Sequence, residues 1–89
     1  MIGEKKRDTQ KLVKAIVVLL RNTTWRCGRL ERSIVGHLYK SNRNFGRPEM
    51  SVKEMLQNFE VTGKKKNEFL DAIKRLERRH IVRIMNLVN

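Results

Sequence analysis

The 89-residue sequence predicts a mainly α fold with one short strand near its end. Three observations carry that prediction. Apolar residues recur at three- and four-residue spacing in four separate segments. Ser51-Val52-Lys53-Glu54 has the pattern of a helix start. Ile81-Val82-Arg83-Ile84 is β-branched enough to favour a strand. Residues 1–89 are read as one domain, because so short a chain leaves no room for a second core.

The first helix is expected from Asp8, its N-cap, to about Arg21. Leu12, Ile16, Leu19 and Leu20 fall at helical spacing, and Val13 and Val17 widen the apolar stripe. A stripe that wide fits contact on two sides, with the domain's own core and with a partner subunit, or a helix sunk deep in its own core. Asn22, Thr23 and Thr24 end it. Thr24 then caps a second helix with Leu30, Ile34, Val35 and Leu38 inward, weakened by Gly28 and Gly36 at ~1 kcal/mol each against Ala. Ser41 to Pro48 reads as a loop, with Asn42, Asn44, Gly46 and Pro48 as breakers.

Ser51 to Glu54 forms a capping box: the Ser51 hydroxyl accepts from the Glu54 amide, and the Glu54 carboxylate accepts from the Ser51 amide. Val52, Met55, Leu56 and Phe59 give the short helix that follows one apolar face. Val61, Thr62 and Gly63 make a turn. A longer helix comes next, with Phe69, Leu70, Ile73 and Leu76 inward and Lys74, Arg75, Arg78 and Arg79 outward. Beyond His80 a strand is preferred, although Ile81, Ile84, Met85 and Val88 also fit helical spacing, so residues 81–89 stay open between the two.

Composition narrows the function classes. The net charge is +12, divided as +4 over residues 1–24, +4 over 25–50, +3 over 51–80 and +1 from Arg83. No segment is acidic, and a positive surface spread over a folded domain favours a polyanion. Cys27 is the one cysteine, so no intramolecular disulfide framework exists, and with His37 and His80 it gives no metal-ligand spacing. The longest apolar stretch, Leu12 to Leu20 interrupted by Lys14, is far short of the ~20 residues of a membrane span. The Lys5-Lys6-Arg7 cluster before it resembles a signal peptide's start, yet no small-residue cleavage site follows. A cytoplasmic protein without membrane contact is expected. Glycine-rich phosphate loops, paired carboxylates and a nucleophile–base pair for Cys27 are all missing, so neither an enzyme nor a cofactor is expected.

Two consecutive helices joined by a turn, the second one basic, follow the order of a helix-turn-helix. The stretch SVKEMLQNFEVTGKKKNEFLDAIKRLERRHIVRI resembles the DNA-binding core of the winged helix-turn-helix superfamily, including PadR-like and MarR-like regulators. Its nearest part is AIKRLERRHIVRI, similar to the end of their recognition helix and the first wing strand. The resemblance implies a mainly α winged helix-turn-helix with an extra N-terminal helix. Two departures are visible. The link from Phe59 to Phe69 is longer than the usual tight turn, and little chain follows Ile84, so the wing is short, truncated, or built with a segment such as Arg47 to Met50.

The resemblance also sorts the basic residues. Lys64, Lys65 and Lys66 stand at the start of the recognition helix, where its dipole disfavours positive charge and a docked phosphate reverses the sign. The competing reading is a solvated lysine run. Asn67 and Arg75 are the base readers expected for adenine and guanine, with Glu68 and Asp71 beside them. For Arg75 the competing reading is an i, i+4 surface pair with Asp71. Lys74, Arg78 and Arg79 are expected on phosphates, and Ser51 and Lys53 complete the DNA-binding set from the preceding helix. Trp25 and Tyr39 are expected to cover the core or a subunit interface rather than stack bases, and His80 to cap a helix.

The expected partner is therefore duplex DNA, bound by a homodimer on a palindromic site. A dimeric transcriptional regulator fits. So does a centromere-binding plasmid or chromosome segregation adaptor that assembles along DNA, associates with the nucleoid and recruits a segregation ATPase. A small basic ribonucleoprotein component, ribosome-associated, is the alternative from another class.

Overall fold

The computed structural model describes residues 14–85. Their order is β1 (Ile16–Leu19), α1 (Arg29–Phe45), β2 (Glu49–Ser51), α2 (Val52–Asn58), α3 (Lys65–Arg78) and β3 (Val82–Met85). The three strands form one antiparallel sheet in the order β2-β1-β3. This is a mixed α/β arrangement, and it overturns the mainly α fold with an extra N-terminal helix.

The correction falls on β1. Ala15 to Leu20 was expected inside a helix, and four of those residues are instead the central strand. A short apolar run satisfies helical and extended periodicity equally well. Two partners decide the matter here: Ile16, Val17 and Val18 face Ser51, Met50 and Glu49 on one side, and Ile16 to Leu19 face Met85 to Val82 on the other. Val17 of this run faces the helices, while Ile16 and Val18 stand half-buried on the other face of the sheet. The expected Asp8 cap and the positions of Leu12 and Val13 lie outside the described residues.

Alternation along the strands puts Val17, Met50 and Val82 on the inner face, fully buried or nearly so, with Leu19 and Ile84 packed beside them. Against that face lie Ile34, Val35 and Leu38 of α1, Met55 of α2, and Phe69, Ile73 and Leu76 of α3, all fully buried. On the outer face Ile16 and Val18 are half-buried, and Glu49, Arg83 and Met85 are exposed.

The second expected helix begins later and ends later than its breakers indicate. Gly28 is its N-cap, where the Gly28 amide donates to Glu31 Oε1 at 3.1 Å. Ser41 to Phe45 stay helical, with Asn42, Asn44 and Arg43 on exposed positions. The break comes at Gly46, whose φ of 66° lets its amide donate back to the Asn42 carbonyl at 2.8 Å. Only residues 46–48 are loop.

The predicted wing is also replaced. Glu49 and Met50, from the segment expected to complete it, join the sheet, but they pair with β1 and not with β3. The partner of β3 comes from the beginning of the chain. Among the described residues no helix is long and apolar enough to cross a membrane.

Candidate nucleic-acid interface

The helix pair α2–α3 and the strand after it follow the order read from the sequence, for local reasons. Ser51 Oγ accepts from the Glu54 amide at 3.0 Å, which fixes the first turn of α2. Val52, Met55 and Leu56 are its buried face. Both α2 and α3 end in the same way. The amide of Glu60 donates to Gln57 and that of Val61 to Leu56; the amide of His80 donates to Glu77 and that of Ile81 to Leu76. Glu60 (φ 53°) and His80 (φ 58°) hold the left-handed position of these Schellman ends, which glycine ordinarily fills. His80 thus closes α3 through its backbone.

Between the two helices the chain turns a second time at Gly63, φ 61°, and enters α3 through Lys64. Phe59 anchors this link by packing between the His37 and Phe69 rings, at centroid distances of 5.0 and 5.3 Å. Phe69, Leu70, Ala72, Ile73 and Leu76 bury one side of α3. At 3.6 residues per turn the opposite side carries Lys64, Asn67, Asp71, Lys74 and Arg78, all exposed. The result is a straight polar stripe with three cations, one amide and one carboxylate.

The three consecutive lysines do not act as a unit. Successive residues diverge around a helix, so Lys64, Lys65 and Lys66 spread over about 200°. Lys64 belongs to the outer stripe, and Lys65 is exposed about 100° farther around the helix. Lys66 is half-buried and turns toward α2, into a groove of about 710 Å³. Lys53 and Ser51 line the same groove from α2, and Lys14 lines it from the start of β1, with Glu60 as its one carboxylate. Lys14 was not among the residues singled out, because a lysine inside an assumed helix carries no signal of what lies beside it.

Two of the expected DNA-binding arginines have partners within the fold. Arg75 Nε lies 3.6 Å from Oε1 of Glu31, a carboxylate only 8% exposed that also caps α1. Arg75, its side chain about half exposed, lines a recess between α1 and α3 together with Glu68 and Asp71. Arg79 donates through Nη1 to the Arg26 carbonyl at 3.0 Å and through Nη2 to the Trp25 carbonyl. Arg21 answers from the same loop, donating to the carbonyls of Arg79, at 2.6 Å, and His80, at 3.2 Å. These two arginines tie the β1–α1 loop to the end of α3. Ser51 serves as a helix cap.

Other expectations resolve simply. Trp25 is 72% exposed and Tyr39 38%, so neither covers the core. Cys27 is buried beside Arg79 Nη1 at 3.4 Å. Among the described residues no three His, Cys, Asp or Glu side chains gather to hold a metal. Comparison of the chain with known protein families, with curated proteins and with solved structures gives no significant match.

Proposed function

We propose that the chain binds duplex DNA through a helix-turn-helix made of α2 and α3, with α3 as the recognition helix. The observation that carries this reading is the outer stripe of α3. Lys64, Asn67, Lys74 and Arg78 repeat at helical spacing along one uncovered face, the arrangement by which a helix in the major groove reaches bases and flanking phosphates together. Asn67 is the base reader, bidentate to adenine, and the three cations sit on phosphates. Lys14, Lys53 and Lys66 line one groove beside this stripe and form a second phosphate seat. Arg75 and Arg79 leave the original set, since each has a partner within the fold.

In this reading the protein is a nucleoid-associated homodimer on a palindromic site, supported by the small size of its core. Its role is that of a transcriptional regulator or of a centromere-binding adaptor that assembles along DNA beside a segregation ATPase. Net positive charge in every segment of the chain, +12 in all, supports the assembling form.

Footprinting on genomic DNA separates the two roles: one compact protected site marks a regulator, and a ladder growing from a nucleating site marks spreading. The binding mode itself is tested by anisotropy with a labelled duplex. Replacing Lys64, Lys74 and Arg78 together by Ala lowers affinity for every sequence and flattens the log–log salt dependence by about 2 to 3. An unchanged slope overturns the assignment. Tighter binding to structured RNA than to duplex DNA moves the reading to a ribonucleoprotein component.

A further inference from the structure

The β1–α1 loop carries a second feature, beside the C-terminal end of α3. Trp25 stands there 72% exposed, among the described residues the most solvent-exposed of the large apolar side chains apart from Phe45. A tryptophan this open forfeits most of the burial that normally justifies the residue. Its backbone is nevertheless held firmly. Arg79 donates to the carbonyls of Trp25 and Arg26, Arg21 donates back to the end of α3, and the Trp25 amide donates to Thr23 Oγ1 at 3.3 Å. Arg26 is kept at φ 58°, a left-handed conformation that an arginine reaches only when its surroundings impose it. That conformation places the Arg26 guanidinium 5.8 Å from the centroid of the Trp25 ring.

We propose that Trp25 and Arg26 form a site for an unpaired nucleobase of single-stranded nucleic acid, with the base stacked on the indole and the adjoining phosphate on the Arg26 guanidinium. The chemistry of the loop selects this occupant. Residues 20–28 read Leu-Arg-Asn-Thr-Thr-Trp-Arg-Cys-Gly and include no acid, so the ring is set in positive charge. A partner with both an aromatic face and an anion satisfies the two groups together, and a nucleotide is such a partner. The guanidiniums of Arg21 and Arg79 are engaged on backbone carbonyls, which leaves Arg26 as the phosphate ligand of the loop. The site uses none of the α3 stripe and does not depend on duplex binding by it.

Trp25 is the only tryptophan of the chain, so its emission reports the site directly. The full chain is titrated with oligothymidylate of about 12 nucleotides, within the span a small stacking module covers. A blunt hairpin duplex of equal charge serves as the control. The single strand quenches the emission to saturation, and the hairpin leaves it largely unchanged. By anisotropy of labelled oligothymidylate, Trp25→Ala weakens binding about tenfold and Trp25→Phe keeps most of it. Arg26→Asn, which tolerates the same backbone conformation, weakens binding and flattens its salt dependence. Lys74→Ala with Arg78→Ala lowers duplex affinity and leaves this quenching intact, so the two sites fail separately. Absence of quenching by the single strand, equal quenching by the hairpin, or an unchanged affinity of Trp25→Ala overturns the proposal. So does an emission change produced by protein concentration alone, which assigns the loop to an interface between copies.

Discussion

Arg75 and Arg79 lie one turn apart on the same stretch of chain, carry the same charge and have different work. Arg75 meets a single carboxylate across α1 and α3 and remains about half exposed. Arg79 reaches two backbone carbonyls of a loop more than fifty residues earlier and rests against the Cys27 sulfur. A partly exposed ion pair contributes little, so Arg75→Ala lowers stability by less than about 1 kcal/mol. Arg79→Met leaves the carbonyls of Trp25 and Arg26 without their donor and costs about 2 kcal/mol. Urea unfolding of both variants checks the ordering, and a larger loss for Arg75 contradicts it. Glu60 and His80 offer the reverse experiment. Each holds a left-handed position where a side chain adds strain, so His80→Gly raises stability by about 1 kcal/mol. The backbone carbonyl of His80 that receives Arg21 is retained in that variant.

At the scale of the element, α2 and α3 were readable because their signals are local. A serine cap with Glu54 behind it and apolar residues at three and four positions act within a single turn of helix, wherever the rest of the chain lies. The β1 segment was not readable in this way. Ile16 to Leu19 form a strand because β2 and β3 supply hydrogen-bonding edges on both sides, and those strands come from distant parts of the sequence. Alternation gives a direct test of the strand. Val17 points into the core and Val18 away from it. Val17→Thr therefore buries a hydroxyl without a partner and costs about 2 kcal/mol. Val18→Thr, β-branched and half-exposed, stays within about 0.5 kcal/mol of the parent. Equal losses at the two positions are the outcome expected of a deeply buried helix.

For the molecule as a whole the dominant quantity is charge. Twenty-one basic residues against nine acidic ones repel one another in the compact state. Among the described residues the Arg75–Glu31 pair is the one ion pair that offsets this. Added salt screens repulsion more than it removes attraction. The unfolding temperature of the free protein accordingly rises by several degrees between low salt and physiological ionic strength, as measured by thermal melts followed by circular dichroism. A falling unfolding temperature shows that attraction governs the fold instead. The proposed nucleic-acid binding has the opposite salt response, since such binding weakens as counterions are added. The two slopes together separate the protein's own electrostatics from those of its complex.

Residue order alone determined the charge, the two helices α2 and α3, the cap at Ser51 and the apolar face of α3, because each depends on side chains within one or two turns of each other. It determined the presence of a basic surface without its layout. Tertiary structure decided the layout of the cations: Lys64, Lys74 and Arg78 face outward, Lys66 joins Lys14 and Lys53 in a groove, and Arg75, Arg79 and Arg21 have partners within the fold. It also decided that an apolar run is a central strand and that Trp25 stands in solvent. Those outcomes depend on which distant segments come together, and neither periodicity nor composition contains that contact information.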